Sequence, residues 1–251
     1  MKPVCLACQA ASPLHDGRRR LLRGTLAAAG SAAVGMLTLT PAPAAAAAMT
    51  QAQRDKLTPD DVLQMMKRGN QRFRAGKPQA HDYLAQKRAS AAGQFPAAVI
   101  VGCIDSRVPA EIVLDTGIGE TFNARVAGNI ANDDTIGSVE FACVVTGAKL
   151  VLVMGHTACG AIKGAIDNAQ LGSLTGLLEQ IKPAVAATDY SGDRSSKNAT
   201  FVDAVARTNV MHAAKALRSH SPDLARLEQE GRIRIVGSMY DLSTGEVEFF
   251  A

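Results

Sequence analysis

Ala97-Ala98-Val99-Ile100-Val101-Gly102-Cys103-Ile104-Asp105-Ser106-Arg107 changes character partway along: a small and apolar run stops at Cys103 and gives way to a thiol, a carboxylate and a guanidinium. The same change recurs in Leu150-Val151-Leu152-Val153-Met154-Gly155-His156-Thr157-Ala158-Cys159-Gly160. Unbroken apolar runs of this length fit strands covered on both faces in a parallel sheet, whereas a half-exposed strand would alternate. If the two strands lie side by side and parallel, their carboxyl ends share one edge, which is where open α/β sheets place their ligands. That edge would receive Cys103 from one strand and His156 with Cys159 from the other. Two thiolates and an imidazole suit Zn²⁺, and three protein ligands rather than four leave a tetrahedral position for reactive water. The count points to a catalytic site.

The rest of the chain supplies the frame. Thr58-Pro59-Asp60-Asp61 offers a capping hydroxyl, a proline in the first turn and two acids at the positive end of the dipole, and so opens a helix to about Arg74. A second helix is expected over Asp82 to Ala92, a strand over Glu120 to Val126, a helix over Asp134 to Thr146 and a strand over Lys149 to Gly155. Gly160 to Ala169 reads as a helix, Asp189 to Asp193 lies in a polar loop, and Asn198 to Ser219 forms a long helix. Arg232 to Tyr240 is a last parallel strand, joined through Ser243-Thr244-Gly245 to a hairpin partner over Glu246 to Phe250. The expected fold class is α/β: a single domain with a mainly parallel central sheet flanked by helices, plus an N-terminal helical arm. The arm occupies residues 49–96 and the core residues 97–251. No internal repeat is visible.

Cys103-x-Asp105-Ser106-Arg107 followed by Gly155-His156-Thr157-x-Cys159-Gly160 resembles the paired signature of the β-class carbonic anhydrases. The likeness runs from about Leu57 to the C-terminus and takes in Arg125-Val126-Ala127-Gly128-Asn129 after Gly119-Glu120-Thr121-Phe122. The resemblance implies a zinc enzyme with one Zn²⁺ per subunit, held by Cys103, His156 and Cys159, that interconverts carbon dioxide and bicarbonate by attack of zinc-bound hydroxide. Asp105 and Arg107 would be its catalytic pair. The carboxylate accepts a hydrogen bond from the hydroxide and aims its lone pair, and the guanidinium fork holds that carboxylate still and ionised. In some family members the matching aspartate swings onto zinc and expels the water, so Asp105 is also an expected ligand of a closed state. Gln94 matches a substrate-contacting glutamine, while Phe122, Ala127 and Phe141 match positions that wall a small apolar pocket. Phe141 stands where the family more often has tyrosine and lacks its hydroxyl. The resemblance further implies a homodimer or higher homo-oligomer, with the N-terminal helices as embracing arms. Two alternatives remain: hydrolysis of a related heterocumulene such as carbonyl sulfide, which would keep the same ligands, and a non-catalytic zinc or bicarbonate-binding module, which would need loss of the Asp105 and Arg107 pair that this chain retains. A thiol redox protein would need a C-x-x-C, which the expected mature part lacks.

Other residues receive plainer readings. Cys143, within Ile136 to Val145, is expected as a buried apolar thiol on a helix packed against the sheet. His81, His212 and His220 read as ordinary surface or helix-end residues.

The beginning of the chain bears on location. Arg18-Arg19-Arg20-Leu21-Leu22-Arg23, a weakly apolar Gly24 to Thr40 and an alanine run ending near Ala48 read as a cleavable twin-arginine-type signal over residues 1–48, which implies a periplasmic or secreted protein. The apolar stretch is short and small-residue-rich, so no stable membrane anchor is expected. Five of the 27 Lys and Arg but one of the 23 acidic residues fall in that leader. The net charge of +4 therefore belongs to the signal, and nothing in the remainder suggests nucleic acid or a membrane surface as partner. Cys5 and Cys8 also lie in the leader. Cys103, Cys143 and Cys159 are too few for a disulfide framework, and metal loading before export would deliver the thiolates already coordinated.

Overall fold

The computed structural model describes residues 48–250; the expected leader, with Arg18 to Arg20, Cys5 and Cys8, lies outside the described residues apart from Ala48. In chain order the helices and strands are α1 (Gln51–Asp55), α2 (Pro59–Arg74), α3 (Tyr83–Ser90), β1 (Ala98–Gly102), α4 (Ala110–Val113), β2 (Thr121–Arg125), α5 (Asp133–Glu140), β3 (Leu150–His156), α6 (Gly160–Ile166), α7 (Gly172–Glu179), α8 (Lys182–Ala187), α9 (Ala199–His220), α10 (Pro222–Gln229), β4 (Arg234–Tyr240) and β5 (Val247–Phe249). The strands form one sheet in the order β2-β1-β3-β4-β5. β1 pairs parallel with both β2 and β3, β4 pairs parallel with β3, and β5 closes the sheet antiparallel to β4.

The apolar runs are continuous because helices cover both faces. Successive residues of a strand point to opposite sides. Val99, Val101, Val151 and Val153 pack on one side with Val139, Val210, Leu217 and Leu224 of α5, α9 and α10. Ala98, Ile100, Leu150, Leu152 and Met154 pack on the other with Val62, Leu63 and Met66 of α2, Val113 of α4 and Leu114 just after it. Register then decides the site: Gly102 is the partner of Met154, so both strands run out at the same edge.

α2 starts as its sequence requires. Thr58 and Asp61 form a reciprocal capping box, with Asp61 N–H donating to the Thr58 hydroxyl at 3.1 Å and Thr58 N–H donating to the Asp61 carboxylate at 2.9 Å. The helix commits its apolar face to this chain's own core, and a Cβ at Gly69 would overlap the Leu114 carbonyl oxygen. The short helices α1 and α4 were not expected, and three further features differ from the sequence reading. The helix expected over Asp134 to Thr146 is α-helical only to Glu140, then widens into a π turn over Phe141–Val145, with Thr146 N–H donating to the Phe141 carbonyl at 3.1 Å. The short α10, capped by the Ser221 hydroxyl on Leu224 N–H at 3.2 Å, was not expected. His81 is not at the surface: its side chain is buried and its Nε2 lies 3.3 Å from the Asp115 carboxylate, which also takes Arg72. No helix among the described residues is long and apolar enough to cross a membrane.

Candidate metal centre

Beyond Gly102 the chain leaves the sheet at Cys103, and the turn that follows is pinned from β2. Arg125 donates through Nε to the Cys103 carbonyl at 2.8 Å and through Nη2 to the Asp105 carbonyl at 2.6 Å. His156 ends β3, fully buried. Its Nδ1 lies 2.9 Å from the Thr157 carbonyl; a carbonyl only accepts, so Nδ1 carries the proton and Nε2 presents a lone pair. That Nε2 is buried without a hydrogen-bond partner. The chain then turns through Ala158, at φ +55°, into Cys159, which precedes the first turn of α6.

The Cys103, His156 and Cys159 ligand atoms lie within 4.8 Å of one another, and the two sulfurs are 4.0 Å apart. Zinc–sulfur bonds of about 2.3 Å at the tetrahedral angle place two sulfurs about 3.8 Å apart. The sulfurs already sit at that spacing, and the orphaned imidazole nitrogen is the donor such an ion needs. Hydrogen bonding from Cys159, helped by the Gly128 N–H, pushes the Cys103 thiol well below its ordinary value against the opposing effect of burial. Bonding to Cys103 and burial push Cys159 up, so both ionise together only with a cation between them. The residues fit zinc. Cys143 is also buried, and burial raises it to about 12. It takes no part in the cluster.

Asp105 stands beside the cluster with its Oδ2 3.9 Å from His156 Nε2. Arg107 clamps it through three hydrogen bonds: the backbone N–H and Nε to Oδ1, each at 2.9 Å, and Nη2 to Oδ2 at 2.7 Å. This clamp holds the carboxyl well below the usual carboxylate range against the opposing effect of its partial burial. The Gly128 N–H donates to Cys103 Sγ at 3.3 Å. Gly128 has φ +70°, and a Cβ there would stand 2.5 Å from Ile181 Cδ1, so glycine meets both a backbone and a space requirement.

The expected site residues divide. Cys103, Asp105, Arg107, His156 and Cys159 come together at the sheet edge, and Ala127 opens the tight turn that carries Gly128. Phe122 and Phe141 meet edge to face, with ring centroids 6.1 Å apart, and line a groove of about 540 Å³ along β2 with Asn123 and Asp134. No metal-cluster residue lines that groove. Gln94 lies in a separate depression with Ser90, Ile118 and Gly119. The sequence reading assigned no role to the Gly128 N–H or the Arg125 clamp, although both lie in the Arg125-Val126-Ala127-Gly128-Asn129 stretch it quoted.

An α/β sheet that gathers two thiols, an imidazole and a clamped carboxylate at its carboxyl edge defines a class of metal-centred proteins. Within it, the profile of the family described as carbonic anhydrase matches residues 98–247. Carbonic anhydrase 2 of Mycobacterium tuberculosis is 36% identical over 186 residues, which cover 72% of this chain and 87% of that protein. The solved β-carbonic anhydrase of Aspergillus fumigatus is 30% identical with a TM-score of 0.58, covering 65% of this chain and 79% of its own. A structure of tetrameric β-carbonic anhydrases from Sordaria macrospora is 25% identical with a TM-score of 0.57, covering 64% and 83%. The chain belongs to the carbonic anhydrase family, in its β class.

Proposed function

We propose that this protein catalyses the reversible hydration of carbon dioxide to bicarbonate and a proton, with one Zn²⁺ held by Cys103, His156 and Cys159. The observation that carries this reading is the buried cluster of these three with the Asp105 carboxylate alongside, in a chain of this family. When bound, zinc lowers the pKa of a water from about 15.7 towards about 7 and so supplies hydroxide at neutral pH. The chain's own residues do the rest. Asp105, kept ionised, accepts a hydrogen bond from the reacting oxygen and turns its lone pair towards the carbon. Arg107 fixes the direction of that carboxylate, and Arg125 fixes the turn from which both project. A closed state with Asp105 on the metal would break side-chain bonds from Arg107, so the observed clamp favours the open arrangement. Ile162, Leu178, Ile181 and Phe201 pack behind Cys103 and Cys159 and keep bulk water from the rear of the centre.

Replacing Cys159 with Ser tests the assignment, because an alcohol oxygen is a far poorer zinc ligand than a thiolate. Zinc content should fall well below one per chain and carbon dioxide hydration should vanish in a stopped-flow assay. Full zinc and full activity would refute the reading.

Gln94, Phe122, Ala127 and Phe141 are assigned to the substrate pocket. A homodimer or higher homo-oligomer, whose copies complete one another's centres, accounts for Gln94, Phe122 and Phe141 lining surfaces apart from the cluster. The exposed Phe141, packed on Phe122 of the edge strand β2, supports such an assembly, which sedimentation would measure. Residues 1–48 are assigned as a twin-arginine export signal on the strength of Arg18-Arg19-Arg20 and the alanine run. Changing Arg18 and Arg19 together to Lys should trap active protein in the cytoplasm, and normal periplasmic recovery would count against the assignment.

A further inference from the structure

The loop that carries His156 and Cys159, and the Gly128 turn that bonds the Cys103 sulfur, are both tied to one helix, α9, by side chains outside the ligand set. The Ala158 N–H donates to Asp203 Oδ1 at 2.9 Å. Ala158 is a non-glycine residue at φ +55° placed between His156 and Cys159, so its backbone angles set how the Cys159 sulfur approaches the imidazole. A residue in that region persists only where its surroundings over-determine it, and a carboxylate acceptor on its N–H is a strong constraint. Asn209, also on α9 and buried, donates through Nδ2 to the Gly128 carbonyl at 2.7 Å. Gly128 in turn donates its N–H to Cys103 Sγ, so Asn209 fixes one of the two peptide planes that meet at Gly128 and the thiol takes the other. α9 itself is held rigidly, with Phe201, Val202, Val205 and Val210 fully buried.

We propose that Asp203 and Asn209 are positioning residues through which α9 sets the separation of Cys103 from Cys159, and thereby the tightness of metal binding. The inference rests on the zinc reading above. Partners that orient ligands in this way are worth about 10–100-fold in metal affinity or activity.

The experiment measures zinc release from the purified holoenzyme to a chromogenic chelator, with thermal melting recorded in parallel. Asp203→Ala and Asn209→Ala should each release zinc about 10–100-fold faster. Asp203→Asn, whose amide oxygen still accepts from the Ala158 N–H, should restore a rate close to wild type. Thr208→Ala is the control: it removes the hydrogen bond that the Thr188 hydroxyl donates to the same helix, at 2.9 Å, and touches neither loop. It should release zinc at the wild-type rate even where its melting temperature falls. The cobalt-substituted Asp203→Ala protein should also show a shifted thiolate-to-metal absorption band, absent from the control. Should an alanine variant fail to fold, Asp203→Glu keeps the acceptor but displaces it by a methylene, and faster release is again expected. Wild-type release rates in the folded Asp203 and Asn209 variants would overturn the inference while leaving the zinc assignment intact. A wild-type protein that holds no zinc would overturn both.

Discussion

Gly128→Ala tests how the backbone supports the centre. A Cβ there would meet Ile181 Cδ1 at 2.5 Å and Ala161 Cβ at 3.3 Å. Ordinary carbon contacts lie at about 3.5–4.0 Å, so the Ile181 side chain must retreat by about 1 Å. It has no exposed surface to retreat into. Overpacking of this kind costs about 1–3 kcal/mol. The left-handed backbone angle adds about 1–2 kcal/mol once a Cβ is present. The stiffer unfolded chain returns about 0.4–1 kcal/mol. The net loss is about 1–4.5 kcal/mol, which a domain with typical stability of about 5–15 kcal/mol survives folded. With a urea slope of about 2 kcal/mol per M, the unfolding midpoint should drop by about 0.5–2 M. Adding Ile181→Val removes the clashing Cδ1 and leaves only the backbone cost. Alone that change costs about 0.5–1.5 kcal/mol, yet in the double variant it should recover about 1–2 kcal/mol of coupling. An unchanged midpoint for Gly128→Ala, or strictly additive effects in the double variant, would refute the argument.

Arg107→Ala should retain zinc while turnover falls on the order of 10–10²-fold, since the Asp105 carboxylate keeps only one backbone hydrogen bond to residue 107. Paired zinc analysis and stopped-flow kinetics check this, and near-native turnover would reduce the pair to a structural salt bridge. Asp105→Asn should likewise keep zinc and lose activity, read by the same two measurements. Asp115 links the arm to the core: burial alone would raise it, but Arg72, the Gln79 N–H and His81 outweigh that and hold it below its ordinary value. Its stabilising contribution is therefore present above the ordinary carboxylate range and lost as pH falls through the lower folded value. Asp115→Asn should flatten the acid side of a stability-against-pH curve measured by urea unfolding. Gly69→Ala should destabilise by about 1–3 kcal/mol or more, because α2 must lift from the Leu114 carbonyl; an unaltered melting temperature would contradict the close approach.

What could be read beforehand depended on how local the cause was. β1 and β3 were legible because burial on both faces writes itself as an unbroken apolar run, and Cys103 and His156 were legible because each stands where a run stops. The start of α2 was legible because Thr58, Pro59 and Asp61 act on one another within a single turn. α10 carries the same signals in Ser221, Pro222 and Asp223, but it follows α9 after a single residue, and a start signal placed directly at the end of a long helix reads as that helix's stop. The π turn after Glu140 carries no residue that demands it. The burial of His81 depends on Asp115, far along the chain, and no local pattern announces it. Asp203 and Asn209 were silent for a related reason: a polar residue in a long helix takes its meaning from the loop it meets.

The order of strands also bears on how the protein comes into being. The donors belong to two segments far apart in the chain, and only the pairing of β1 with β3 brings them together. A nascent chain therefore cannot capture the ion until β3 has been synthesised and docked, and such long-range parallel pairing is among the slower steps of folding. Capture by the complete ligand set should therefore come late. Once made, it would fasten the ends of two central strands, an interaction expected to form after the folding barrier is crossed. Zinc should accordingly slow unfolding far more than it speeds folding, giving a protein whose persistence is kinetic.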